Sequence, residues 1–337
     1  MKFINTSDLA DPGWDFIASY SDNPDITWEY HLGTRRAGVE KWMKRPHLGR
    51  MRADFTAARS AARQPGSALV SHLPNMTFVT ARAQNYLGKP GPHVGFSFNF
   101  TDLPKGKRKS LYKETFKNMT EFVVFSKYEV DLYEEYFGIS KENLKFLPWT
   151  MDRPNTRSNI KLPFDGDYLC AVGSEARDYG TLMAAMQTLP HINLVLIARH
   201  HSLAGITVPE NVRVMIEIPS AHVWAIAEKS KGMVVPLQTD KTPNGHVTIV
   251  GTRLMAVPLA VSRSDGISDY VHDDDSFMFQ SGNAEELRTA LLVMMTQQDL
   301  AARKAALAQR RALEQNDVKH WVAYFDDLNR RLSAFAT

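Results

Sequence analysis

Continuous apolar runs alternate with longer stretches of helical periodicity along most of the chain. In the first half the runs are KFINT (2–6), DITWEYH (25–31), SALVSH (67–72), PHVGFSF (92–98) and EFVVFS (121–126). The stretches between them, at about 36–63, 75–87, 106–118 and 127–137, are each long enough to cross over a parallel sheet. At FLPWTMDRPNTRSNIKLPFDGD (146–167) the periodicity stops and Pro, Asn and Asp take over, as in a linker. A second series follows, with strands at 168–174, 192–198, 211–218, 232–237, 258–262 and 277–280 and helices at 178–188, 220–230 and near 246–256. Its strands are unbroken apolar runs, the pattern of strands covered on both faces. From 283 to 334 the chain reads as amphipathic helix throughout. The alternation predicts an α/β protein of two doubly wound, Rossmann-like domains. The boundaries fall at 1–150, 151–315 and a final helix at 316–337.

Composition supports two cores, because 337 residues exceed what one ordinary core organises. Cys170, the only cysteine, lies inside DYLCAV and reads as a buried thiol, so no disulfide forms within the chain. The N-terminus lacks the apolar centre of a signal peptide, and nowhere do about 18 apolar residues run together. A cytoplasmic location is the expectation.

The net charge of +3 is unevenly spread. Residues 35–63 carry nine Arg or Lys against Glu40 and Asp54, a local balance of +7. Stacking aromatics and nucleic-acid reader motifs are both missing, which argues against a nucleic-acid partner. A solvated helix face is one reading of the segment. The other is an anionic membrane surface, met by Trp42, Met43, Leu48, Met51 and Phe55 on the apolar side, which would place the protein peripherally on the inner face of a membrane. HDDDS (272–276) lacks the Gly and distal Glu of a calcium loop and reads as a solvated turn. His200 and His201 have no metal-ligand spacing with Cys170, so no metal site is expected.

In open α/β sheets ligands bind beyond the carboxyl ends of the strands, and phosphates favour helix N-termini. QTDKTPNGHVT (238–248) follows the apolar run GMVVPL, brings Lys241 to a turn, and uses Asn244-Gly245 to permit a positive φ. A helix then opens on the amides of His246, Val247 and Thr248. A diphosphate fits there with Lys241 as counter-charge; an ordinary Asn-Gly turn is the plainer alternative.

From about residue 121 to 310 the chain resembles the GT-B glycosyltransferases, in particular the family-four group that uses nucleotide sugars. The likeness is carried by EFVVFSKYEVDLYEEYFGISKENLKFLPWTMD (121–152), by YLCAVGSEARDYGTLMAAMQTLPHINLVLIAR, by NVRVMIEIPSAHVWAIAEKSKGMVVPL, and by DGISDYVHDDDSFMF with NAEELRTALLVMM. NGHVTIVGTRLMAVPLAV is similar to the family's segment G…E-A-M-x-x-G-x-P. The resemblance implies two domains facing across a cleft, the donor in the second and the acceptor in the first. It also implies that the last helix, with Trp321 and Tyr324, crosses back to the first domain. The donor glycine turn falls on Gly245, and the carboxylate that holds the donor ribose falls on Gly251. Its upstream acidic partner falls on Pro243, and of the phosphate-clamping cations only Arg177 is present, with Asp178 and Tyr179 after it. Three explanations stay open: the ribose is read by Thr252, Asp269 or backbone groups, the donor differs from a common uridine or guanosine diphosphate sugar, or the chain has lost activity and kept the scaffold.

The donor set implied is Arg177, Arg199, Ile218, Lys241, Asn244, Gly245, His246, Val247, Thr248, Gly251 and Thr252. On the acceptor side the candidates for proton transfer or sugar contact are His72, Asn99 and Asp8, with Ser97 and Asp11 as neighbours. A strand-end histidine such as His72 is more often structural. The implied activity is metal-independent transfer of a sugar from a nucleotide-diphosphate donor to a glycan or lipid-linked acceptor in surface polysaccharide or glycoconjugate assembly. The nucleotide sugar is then a substrate, and no cofactor is expected. A scaffold or binding protein with an impaired site and a nucleotide-sugar epimerase on the same fold stay open.

Overall fold

The computed structural model describes residues 1–8, 14–34, 47–89, 91–156, 159–241 and 243–334. The chain forms two compact units, Met1–Pro148 with Val318–Thr337, and Trp149–Asp317.

In the first unit, strands β1 (Lys2–Ser7) and β2 (Thr27–Leu32) precede helix α1 (Leu48–Arg63). Then come β3 (Ala68–His72), α2 (Pro74–Tyr86), β4 (His93–Phe96), α3 (Gly106–Phe116), β5 (Glu121–Val124), α4 (Lys127–Phe137) and β6 (Leu144–Phe146). The sheet order is β2-β1-β3-β4-β5-β6, with every pairing parallel. The first part of the helical stretch expected at 36–63 lies outside the described residues, as do Trp42 and Met43. Alanines Ala53, Ala57 and Ala58 form the buried face of α1, and small side chains let it approach the sheet closely. Helix α4 begins at a capping box in which Ser126 and Glu129 satisfy each other's backbone amides, and it ends at Gly138 in the left-handed conformation.

The second unit holds β7 (Tyr168–Val172), α5 (Tyr179–Gln187), β8 (Asn193–Ala198), β9 (Val212–Ile216), α6 (Ser220–Glu228) and β10 (Gly232–Val235). It continues with α7 (His246–Leu254), β11 (Leu259–Ser262), β12 (Phe277–Phe279), α8 (Ala284–Thr296) and α9 (Gln298–Gln315). Its parallel sheet has the order β12-β11-β10-β7-β8-β9. Counted from its first strand this is 3-2-1-4-5-6, the dinucleotide-fold order, and its direction reverses between β7 and β10.

The last helix, α10 (Lys319–Ala334), belongs to the first unit. Phe325 packs edge-on against Phe3 and Trp28, with centroids 5.3 and 5.0 Å apart. Trp321 Nε1 donates to the Pro148 carbonyl at 2.9 Å, and Tyr324 donates to Glu121. The fold is thus two doubly wound α/β units with the C-terminal helix returned to the first. The helical tail is three helices, parted at Gln297 and Asn316.

HDDDS is a turn in which His272, Asp273 and Asp274 are exposed, as its composition suggests, but its last carboxylate is not solvated. Asp275 is fully buried against Arg253 at 3.2 Å, and Arg311 bridges Asp274 and Asp275 at 2.6 and 2.9 Å. Guanidinium groups on α7 and α9 hold Asp275 inward, because a buried carboxylate requires charged partners.

Candidate donor site at the second switch point

Sheets that reverse direction leave a crevice beyond the strand ends, and here the backbone around it is strained. Gly173, just past β7, has φ +136°, and Ala176 and Glu217 have φ +53° and +51°. Non-glycine residues pay for that conformation, so such clusters mark places where geometry is held for a purpose.

Arg177 lies at this point, bridged to Leu237 in the loop after β10. Its side chain is buried, and the guanidinium donates to the carbonyls of Val172 and Glu175 at 3.4 and 3.0 Å and reaches Thr248 Oγ1 at 3.5 Å. Among the described residues no carboxylate lies within ion-pair distance of it. Burial pulls its pKa down, the effect of desolvation on a cation. A guanidinium costs several kcal/mol to bury without a counter-ion, so the site is electrostatically unfinished.

Helix α7 starts beside it. Gly245 caps the helix with φ +93°, which a side chain tolerates poorly, and a Cβ there would sit 3.5 Å from Arg177 Nη2. The first amides of α7, from His246 to Thr248, belong to a helix end with positive partial charge. His246 is buried, with Tyr270 4.7 Å away, and burial lowers its pKa to about 4, so its ring is neutral. Thr248 is buried, Val247 is exposed, and Asn244 is half-buried. Lys241 is exposed on the same loop, its amide donating to Thr239 Oγ1 at 3.0 Å. Thr252 is fully buried, and among the described residues its hydroxyl has no hydrogen-bond partner.

A cavity of about 580 Å³ opens at the ends of β7, β8 and β9, lined by Gly173, Ser174, Arg199, His201, Glu217 and Ile218. Glu175 stands 3.7 Å from Arg199 and 3.5 Å from His201. Another hollow of about 600 Å³ lies beside α5, but Glu210 is the only charged residue lining it, and a carboxylate repels phosphate. The sequence-predicted donor residues therefore fall into two adjoining groups, one at the start of α7 and one at the cavity.

Gly251 holds no ribose carboxylate, and the structure shows what occupies the space. A Cβ on Gly251 would lie 2.5, 2.9 and 3.1 Å from three ring carbons of Trp224, on α6. Sequence reasoning missed Trp224, because nothing in HVWAIAE marks it off from an ordinary helix.

In the first unit the candidates come to the carboxyl ends of adjacent strands. His72 ends β3 and accepts from Asn5 Nδ2 at 2.8 Å through Nε2. Rings of Phe16, Phe96 and Trp14 surround it at 4.8, 5.4 and 6.0 Å, and burial lowers its pKa to about 3. Asp8 follows β1 and is held by Arg50 through both carboxylate oxygens, one at 2.6 Å. Asn99 is half-buried just after Ser97, whose φ is +53°. Asp11 lies outside the described residues. Another carboxyl the sequence did not single out is Asp54, buried beneath α1, where it accepts from Thr6 and Thr80 at 3.0 Å each. Among the described residues no group of three or more His, Cys, Asp or Glu is arranged to hold a metal ion.

No known family and no curated protein matches the sequence. Solved structures do match. Sucrose-phosphate synthase from Thermosynechococcus elongatus is 12% identical over 99% of each chain, with a TM-score of 0.75. HepE from Anabaena in complex with UDP-glucose is 14% identical over 100% of this chain and 99% of that one, with a TM-score of 0.71. The α,α-trehalose 6-phosphate synthase from Burkholderia multivorans is 14% identical over 99% and 97%, with a TM-score of 0.71. These neighbours are GT-B glycosyltransferases, and the chain has the GT-B fold.

Proposed function

We propose that the protein is a glycosyltransferase whose sugar arrives on a nucleoside diphosphate bound at the switch point between β7 and β10. The observation that carries this reading is Arg177, a buried guanidinium with no carboxylate within ion-pair reach among the described residues, beside the N-terminus of α7. A diphosphate completes both the charge and the helix end. The complex of HepE with UDP-glucose supports the donor class.

Transfer releases a nucleoside diphosphate, so negative charge grows on its leaving oxygen. Arg177, Lys241 and the first amides of α7 stabilise that charge, and no resident metal or cofactor is invoked. Arg199 and Ile218 line the space for the rest of the nucleotide. In the first unit, Asn99 is placed to hydrogen-bond a sugar hydroxyl. His72 and Asp8 are the proton acceptors to test, the first a neutral imidazole and the second a carboxylate tied to Arg50.

The acceptor is a glycan or a lipid-linked saccharide of surface polysaccharide or glycoconjugate assembly. Peripheral docking on an anionic, cytoplasmic membrane face is supported by α1, where Leu48, Met51 and Phe55 are exposed at helical spacing, with exposed Arg52 between them and exposed Arg59 one turn beyond. Among the described residues no helix is long and apolar enough to cross a membrane.

Gly251 favours a second reading, a nucleotide-binding scaffold without transfer. Calorimetry with UDP, GDP, ADP and their glucose conjugates, with and without Arg177→Met, tests the donor site. Binding lost in the variant is the expected result; no binding to the unaltered protein overturns both readings. Release of nucleoside diphosphate from a bound sugar donor separates enzyme from scaffold.

A further inference from the structure

The indole that displaces a side chain from Gly251 is placed to do more than fill space. Trp224 is partly buried and packs on the same apolar layer as Val172 and Ile218, both of which line the cavity at the strand ends. On α7, Thr248 and Gly251 are three residues apart and share a face. Arg177 reaches Thr248 at 3.5 Å, and the ring of Trp224 covers Gly251. Guanidinium and indole therefore follow one another along a single helix face, separated by a rise of about 4.5 Å. A nucleoside diphosphate presents its phosphates and then its ribose over a similar span.

We propose that Trp224 is the specificity-determining residue of the donor site, giving the nucleoside an aromatic face where a carboxylate would grip the ribose diol. The proposal rests on the donor-site reading above. Its chemistry follows from what each group can sense. A buried acceptor that bonds a hydroxyl rejects a ligand lacking it, because the acceptor is then left unpaired. An indole packs against the ribose and base whether or not the 2′-hydroxyl is present, and stacking tolerates changes in hydrogen-bonding groups. The site should hold its donor by the diphosphate and by ring contact, with little preference for ribose over deoxyribose. An acidic residue at 251 has no room while Trp224 is in place.

The test measures dissociation constants for UDP, GDP and ADP, each beside its 2′-deoxy counterpart, and for inorganic pyrophosphate. The expected result for whichever nucleotide binds is a ribose-to-deoxyribose ratio within about threefold in the unaltered protein. Trp224→Ala should weaken that nucleotide by about tenfold or more, with Trp224→Phe staying within about threefold and pyrophosphate unchanged in both. Quenching of tryptophan fluorescence by the nucleotide should diminish in Trp224→Phe. Preference for the ribonucleotide above about tenfold, or nucleotide affinity unchanged in Trp224→Ala, overturns the proposal and leaves the diphosphate site standing. Failure of both nucleotides and pyrophosphate to bind the unaltered protein overturns the donor site and the proposal together. The ribose-to-deoxyribose ratio needs no variant, so it decides the matter even if Trp224→Ala does not fold.

Discussion

The end of β3 in the first unit and the end of β7 in the second each flank the switch point of a doubly wound sheet, and they are finished in opposite ways. Around His72 the polar atom has a partner in Asn5 and the remaining contacts are rings, so the group is neutral and enclosed. Around Arg177 a cation is buried with carbonyls and a hydroxyl as its hydrogen-bond partners and, among the described residues, no carboxylate at ion-pair distance, beside a glycine-capped helix end. A folded chain satisfies buried polar groups unless something else is to do so. The difference favours the second unit for the anion site proposed above, and leaves the first with shape, rings and half-buried polar groups at its strand ends.

The sharpest test of that contrast in the first unit uses pH. Burial raises the Asp54 pKa to about 7, against its Thr6 and Thr80 hydrogen bonds and the nearby Arg50 charge, which lower it. The folded state then holds a proton that the unfolded state has released, so this stabilisation is complete below about pH 4 and is lost as pH rises towards 7. Relative to Asp54→Asn, the unaltered protein should lose roughly 4 kcal/mol across that window in urea denaturation; parallel curves would mean Asp54 is already ionised. His72 and His93, both lowered by burial to about 3, act in the other direction, their stabilisation being lost as pH falls below about 6.5.

In the second unit, Arg177→Met should weaken nucleotide binding by about 100-fold and yet raise the stability of the free protein by about 1–3 kcal/mol, because an uncompensated buried charge is removed. A loss of stability would show that the guanidinium is compensated. Gly251→Ala should cost about 1–3 kcal/mol, since Trp224 is rigid and its ring must shift, and Trp224→Ala in the same chain should recover part of that loss. The smallest change concerns Ala256, at the second glycine of the segment G…E-A-M-x-x-G-x-P, with φ +56°. Ala256→Gly relieves that strain and should stabilise by about 0.5–1 kcal/mol, read as a small rise in melting temperature.

Most strands were legible because parallel strands buried on both faces leave unbroken apolar runs, as in YLCAV and GMVV. β6 was not, since its three residues, LKF, are too short for any period. The turn and helix start at Asn244-Gly245 were legible from glycine's access to positive φ. Within the acidic run at 273–275 only the burial of Asp275 was not legible, because its partners Arg253 and Arg311 are distant in sequence.

The sequence by itself determined two α/β layers, their order of elements and a helix end suited to phosphate, all of which depend on local patterning and backbone preference. Tertiary structure alone decided that Arg177 is buried with no carboxylate at ion-pair distance among the described residues, that His72 sits among rings, and that Trp224 takes the space at Gly251. Each of these is a relation between residues on different elements, and burial, desolvation and steric exclusion arise only when packing brings those elements together.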